Sequence, residues 1–224
     1  MVKVGVCLSG CGVYDGAEIH ESVITLLELA KAGVEAVCFA PDVPQMHVVD
    51  HMTGEVSAGQ TRNVLQESAR IARGKVLAAS KVNGADFDAL IFPGGFGAAK
   101  NLSTFATQGA DCSVDPDVSR ILQEARAASR PIGLLCIAPA LGAAVLGRNG
   151  ETVELTIGTD AGTAGALTAM GAQHVERAVD EIHVDLASKV VSTPCYMLAQ
   201  NIAEAATGVE ALVAKVLELI AQEK

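Results

Sequence analysis

The feature that most constrains this chain is a regular alternation of strand-like and helix-like segments along nearly its whole length. The apolar run VKVGVCLS is followed by the helical pattern IHESVITLLELAKAG and then by VEAVCFAP, with Gly33 placed to stop the helix. TRNVLQESARIARG reads as a helix stopped by Gly74, and FDALIFPGG as a buried strand closing on a glycine turn. PDVSRILQEARAAS reads as a helix with proline in its first turn, where the missing amide costs nothing. Further segments extend the pattern through IGLL, VELTIG, AGTAGALTAMGAQ, EIHVDL and KVVSTP to an amphipathic tail. In that tail Val209, Leu212, Val213, Val216 and Ile220 share one face. Parallel strands need a crossover, usually a helix, so this order predicts an α/β fold: a doubly wound, mostly parallel sheet with helices on both faces. One domain over 1–224 is expected, with residues 41–87 and 101–115 read as insertions. Ligands of such sheets bind beyond the carboxyl ends of the strands.

Composition narrows the function classes. A net charge of -10 with no lysine or arginine run gives no footprint for nucleic acid or for an anionic membrane surface. No apolar stretch has the length of a membrane span, and MVKVGVCLSG lacks the ordered regions of a secretory leader, so a cytoplasmic place is expected. The six cysteines, at 7, 11, 38, 112, 136 and 195, lack the short paired spacings of metal sites and read as reduced thiols. His47 and His51 have helical spacing but lie in a loop-like segment, so no metal is expected.

Three segments fall at strand ends: SGCGVYDGAEIHE, PGGFGAAKNL and LCIAP. Cys136 lies between an apolar run and a helix-tolerant row of small residues, which predicts a strand-to-helix turn. Helix amides there would favour the thiolate. A buried structural cysteine is the alternative. Gly94, Gly95 and Gly97 would let backbone amides approach an oxygen, and amides there and at Ile137 would form an oxyanion hole; a plain tight turn is the alternative. Gly10, Gly12 and Gly16 nearly match the glycines of a dinucleotide site, which raises a nicotinamide or flavin enzyme as a rival. The third spacing is one residue long, and only Asp42 is available for a ribose. On the first helix, Ile19, Val23, Leu26, Leu27 and Ala30 make the expected core stripe, which leaves Glu21 roughly opposite it and solvated by periodicity. First-turn residues of a helix starting at a switch point can nevertheless face the crevice.

GAEIHESV, FPGGFGAAKNL and LLCIAPA, in this order, resemble the PfpI and Parkinson-associated deglycase superfamily, within the class I glutamine-amidotransferase-like, flavodoxin-like fold. LSGCGVYDGAEIHE, GFGAAKNLS, CIAPA, LTIGTD and TPCYMLAQNIAEAA are similar, over the full length, to the ElbB-type bacterial glyoxalases, the isoprenoid biosynthesis proteins with an amidotransferase-like domain. The resemblance implies Cys136 as nucleophile, Glu21 as the acid that hydrogen-bonds it, and the amides of Gly95 and Ile137 as oxyanion donors. It also implies a cofactor-independent, glyoxalase-type lyase of the hydro-lyase class, turning a small dicarbonyl substrate, glyoxal, into glycolate without glutathione. This activity is sometimes interpreted as deglycation. Dimers are common in the superfamily, so a homodimer is expected.

One departure stands out. Amidotransferases of this fold complete a Cys-His-Glu triad with a histidine shortly after the next strand, where this chain reads LTIGTDAGTAG. His174 and His183 come later, and His20 beside Glu21 is the substitute to consider. The amidotransferase-type hydrolase therefore ranks below the glyoxalase, and a non-enzymatic redox or partner-binding protein is the third reading.

Overall fold

The computed structural model describes residues 1–150 and 152–222. At its centre β1 (Lys3–Cys7) has apolar side chains on both faces and pairs in parallel with β2 (Glu35–Ala40) on one side and β4 (Ala89–Phe92) on the other. Among the described residues the sheet has seven strands. β3 (Val76–Ala78) lies outside β2, while β5 (Ile132–Leu135), β9 (Val190–Thr193) and β8 (His183–Asp185) follow β4 in the order β3-β2-β1-β4-β5-β9-β8. Only β8 is antiparallel to its neighbour. The expected doubly wound α/β fold is therefore the fold observed.

The period of two along the strands divides the core into two layers. Val4, Val6, Ala89 and Ile91 pack on one face with α1 (Ile19–Lys31) and α8 (Ile202–Ala221). Leu90, Phe92, Ile132 and Leu134 pack on the other with α5 (Pro116–Ala127) and α6 (Pro139–Val145). The tail stripe Val209, Leu212, Val213, Val216 and Ile220 is buried on α8 as its spacing predicts. No described helix is long and apolar enough to cross a membrane.

Two expectations need correction. Residues 41–87 are not simply an insertion: α2 (Val64–Ile71) leads to β3, which extends the sheet from β2 with Cys38 opposite Val76. A three-residue strand is too short to show a period. The predicted core stripe of α1 is also reversed in part. Ile19, Val23 and Leu27 are exposed, while Glu21, Ser22, Thr25 and Leu29 are buried. Beyond β5, β6 (Glu154–Leu155), α7 (Ala161–Ala169) and β7 (Gln173–His174) form a small parallel pair outside the main sheet. The short helices α3 (Phe96–Lys100) and α4 (Phe105–Gln108) follow β4.

Candidate active site

Strand order reverses at β1, whose chain continues to β2 on one side while β4 lies on the other, and this leaves a crevice at the carboxyl ends of the strands. The loops after β1, β4 and β5 converge there. Cys136 directly follows β5. Its amide donates to the Thr193 carbonyl at 3.0 Å, and its φ is +58°, a left-handed conformation costly for a residue with a side chain. The turn holds the sulfur beside the amides of Gly95 and Ile137 and the carboxyl of Glu21, all three in hydrogen-bonding contact with it. Sequence reading named these four groups, and the fold brings them together.

Glu21 reaches the sulfur from the first turn of α1 and is fully buried. Its Oε2 accepts from the Gly94 amide at 2.8 Å and its Oε1 from the Tyr196 amide at 3.3 Å. Glu18 caps the helix: its Oε2 accepts from the Glu21 amide at 2.8 Å, and its own amide donates to the Gly94 carbonyl at 2.9 Å. Gly94 leaves no room for a side chain. A Cβ there would lie 2.4 Å from the Cβ of Cys136 and 2.9 Å from Oε2 of Glu21. Periodicity favoured a solvated Glu21 because it assumes that the apolar face of a helix is the buried one, and α1 begins where that assumption fails.

Burial dominates the electrostatics. It pushes Glu21 up to about 8, and the charge of Glu18 adds to the rise, against the amides of Gly94 and Tyr196 and the Cys136 thiol. Burial also pushes the Cys136 thiol well above its ordinary value, and the Glu21 charge reinforces it; the amides of Gly95 and Ile137 pull the other way. The expected acidification of the thiol by its turn is thus not the net effect. Two amides do favour the thiolate, but desolvation outweighs them.

The crevice opens into a cavity of about 510 Å³ whose lining includes Glu18, Gly95, Cys136, Ile137, Asp160 and Thr163. Asp160 and Thr163 come from the segment where a triad histidine would stand. Asp160 is the α7 cap, accepting from the Thr163 amide at 2.7 Å. His183 is committed elsewhere, to Glu154 at 2.9 Å and Arg177 at 3.1 Å, and Nε2 of His174 lies 3.3 Å from the Ile157 amide. His20 does approach the site, its Nδ1 2.7 Å from the phenol of Tyr196. Tyr196 is the residue that sequence reasoning missed. It lines the cavity, holds Glu21 through its backbone and touches His20 through its side chain; its position two residues past Pro194 at the end of β9 was the available signal.

The glycine loop after β1 serves packing rather than a dinucleotide. The Gly16 amide donates to Gly12 at 2.7 Å, and its carbonyl accepts from the Gly97 amide at 2.8 Å. A Cβ on Gly16 would lie 2.3 Å from the Cys11 nitrogen. The turn is closed on itself and on the β4 loop, so its amides do not form an open cradle for a pyrophosphate. Asp42 is engaged by Asn63 at 2.8 Å. His51 accepts from the Tyr14 amide at 3.2 Å, and among the described residues no His, Cys, Asp or Glu cluster is arranged as a metal ligand set.

No family model matches the chain. It is 52% identical over 226 residues to a rat ES1 protein homolog, mitochondrial, covering 97% of this chain and 84% of that one. It is also 52% identical over 226 residues to human glutamine amidotransferase-like class 1 domain-containing protein 3, mitochondrial, covering 97% and 83%. Among solved structures, an isoprenoid biosynthesis protein with amidotransferase-like domain from Ehrlichia chaffeensis superposes with a TM-score of 0.91 at 35% identity, covering 97% of this chain and 99% of that one. DJ-1beta of Drosophila melanogaster, at 17% identity, a TM-score of 0.51 and coverage of 100% and 97%, shares the fold alone.

These relatives overturn the expected cytoplasmic place, since both mammalian proteins are named mitochondrial. Lack of a membrane span or a secretory leader does not separate the cytosol from an organelle matrix. The fold and the order of its motifs agree with the resemblance, and at such identity and coverage the chain belongs to the ES1 family of glutamine amidotransferase-like class 1 domain proteins.

Proposed function

We propose that the chain is a cofactor-independent glyoxalase, a lyase of the hydro-lyase class that converts glyoxal to glycolate at Cys136. The observation that carries this reading is the contact of one sulfur with a buried carboxyl and two amides, in a cavity lined by no histidine among the described residues. In its ionised form Glu21 takes the thiol proton as sulfur adds to one aldehyde carbon. The alkoxide forms one bond beyond the sulfur, towards the amides of Gly95 and Ile137, and takes that proton back to give a hemithioacetal. Glu21 then removes the hydrogen on the sulfur-bearing carbon as a proton and delivers it to the neighbouring carbon, while the hydroxyl proton of the hemithioacetal passes to the neighbouring carbonyl oxygen, so that the first oxygen becomes the thioester carbonyl and the second a hydroxyl. One carbon is oxidised by two electrons, its neighbour is reduced by two, and the product is a glycolyl thioester. Water cleaves the thioester, releasing glycolate and the free thiol. Atoms and electrons balance with water as the only co-reactant.

Turnover of glyoxal by the purified protein, with Cys136→Ala as control, tests the reading. Loss of activity in that variant supports it, and full activity without the thiol overturns it. The homodimer belongs to the same proposal: the exposed stripe Ile19, Val23 and Leu27 on α1 supports it. Sedimentation of wild type against Val23→Glu tests it, with a dimer expected only for the wild type.

A further inference from the structure

On the glyoxalase reading, the volume and charge of the cavity bear on which carbonyl the site is built for. Glyoxal has four heavy atoms. Even at the share of a liquid water, ~30 Å³ each, they leave most of a cavity of about 510 Å³ empty. That volume lies in the range of roughly 300–1,000 Å³ found for sites that enclose drug-sized ligands. The chemistry is concentrated where Cys136, Gly95 and Ile137 meet. The remaining wall includes Phe96, Ala99 and Phe105, contributed by α3 and α4, and Met197. Phe96 is half-exposed and Phe105 half-buried, although both are large apolar side chains that an empty surface would be expected to cover.

Charge narrows the choice further. The ionisable lining residues other than the thiol and the Tyr196 phenol are the acids Glu18 and Asp160, and no lysine or arginine is among them. Lys100, on the same helix as Phe96, is turned to the Tyr14 carbonyl at 2.9 Å and lies 5.0 Å above the Phe96 ring. A carboxylate or phosphate on the substrate would meet acids without an opposing cation.

We propose that the site takes a neutral 2-oxoaldehyde carrying an apolar or aromatic substituent, with the aldehyde at Cys136 and the substituent against Phe96 and Phe105. The reaction is the one above with the substituent on the second carbon. Thiol adds to the aldehyde, the hydrogen on that carbon moves as a proton to the ketone carbon while the new hydroxyl proton passes to the ketone oxygen, and water cleaves the resulting thioester to release the 2-hydroxy acid and the thiol.

The test compares kcat/KM for glyoxal, methylglyoxal, phenylglyoxal and 4-carboxyphenylglyoxal. Phenylglyoxal is expected to exceed methylglyoxal by roughly tenfold or more, the gain that even one well-packed methylene can give, and the added carboxylate to remove that gain. Phe105→Ala should lower the ratio of phenylglyoxal to glyoxal severalfold. Phe105 touches the core, so a readout on the wild-type protein accompanies the variant: the rate of Cys136 alkylation by N-benzyl iodoacetamide relative to iodoacetamide, followed by peptide mass mapping. Turnover of glyoxal with a flat profile across the panel overturns the substrate class and leaves the glyoxalase reading standing. Absence of all turnover, with benzyl-selective labelling of Cys136, supports the apolar cavity and overturns the glyoxalase reading. Absence of both turnover and labelling preference overturns the two together.

Discussion

Glu21 and Cys136 share a hydrogen bond inside the fold, the carboxyl fully buried and the thiol almost so; burial raises the cost of charge on both, the Glu21 charge raises it further on the thiol, and the thiol favours the carboxylate without offsetting its burial. At neutral pH both protons therefore stay on the pair. The form of Glu21 that accepts a proton is the minor one. Since its carboxyl is pushed up to about 8, kcat/KM for glyoxal should rise with pH and level off above that value. A rate that is flat from pH 6 to 9, measured where the fold is intact, would refute Glu21 as base.

Glu18 supplies the neighbouring negative charge that adds to this rise, while its side chain caps α1. Gln at position 18 keeps an oxygen for the cap and removes the charge. Glu18→Gln is therefore expected to move the midpoint of the pH profile downward and to lower the plateau less than tenfold. Glu21→Gln should lower turnover by about 10²-fold to 10⁴-fold, the usual effect of losing a positioned acid or base. Equal, small effects at the two positions would place Glu21 outside the chemistry.

The same burial carries a stability cost with a defined pH window. Glu21 has an ordinary value of 4.5 and titrates near 8 when folded, so between these values the folded chain holds a proton that the unfolded chain has lost. Stability falls as pH rises across that window, by up to about 1.4 kcal/mol per unit, and the full cost is present above it. Glu21→Gln removes the titration. The Tm difference between this variant and wild type should grow from pH 5 to pH 8 in favour of the variant. A constant difference would mean that the carboxyl is not held protonated by the fold.

How much of this was legible in the sequence depends on what each feature rests on. The α/β alternation and the α8 stripe Val209, Leu212, Val213, Val216 and Ile220 rest on side-chain hydrophobicity, and both appear as read. α1 defeats the same logic, since it buries Glu21, Ser22 and Thr25 and exposes Ile19, Val23 and Leu27. Its inner face is polar because its first turn closes the crevice. Motif resemblance, not periodicity, pointed to Glu21. The part played by Tyr196 was harder to read for another reason: its place after β9 was visible, but it holds Glu21 through a backbone amide, which any residue other than proline would supply.

Gly94 tests the packing directly. A methyl there meets the Cβ of Cys136 at 2.4 Å, and that atom is fixed by a backbone at positive φ and cannot swing aside. Gly94→Ala should cost about 1–3 kcal/mol of stability, as overpacking does, and should part the carboxyl from the thiol. Denaturant melts and glyoxal assays on one preparation check both effects. Unchanged turnover in a destabilised variant would mean that the Glu21 to Cys136 contact is not required for the reaction.

The last prediction separates aldehyde chemistry from amide hydrolysis. Release of ammonia from glutamine requires a base that deprotonates the thiol and an acid that protonates a poor leaving group, roles that a triad histidine fills in turn. Here the corresponding segment offers Asp160 and Thr163, and hydrogen bonds to Thr163 hold Asp160 below a normal carboxylate, so it is a poor proton donor. His183 is tied to Glu154 and Arg177, and His20 reaches the site only through the Tyr196 phenol. An aldehyde needs less: it is the better electrophile, and its addition expels nothing. The purified protein should turn over glyoxal and release no ammonia from glutamine, and His183→Ala should leave the turnover of glyoxal by the folded protein largely unchanged, because His183 bonds to Glu154 and Arg177 and does not line the cavity. Ammonia release that disappears in both Cys136→Ala and His20→Ala would reverse the ranking, because it would show His20 supplying the missing base.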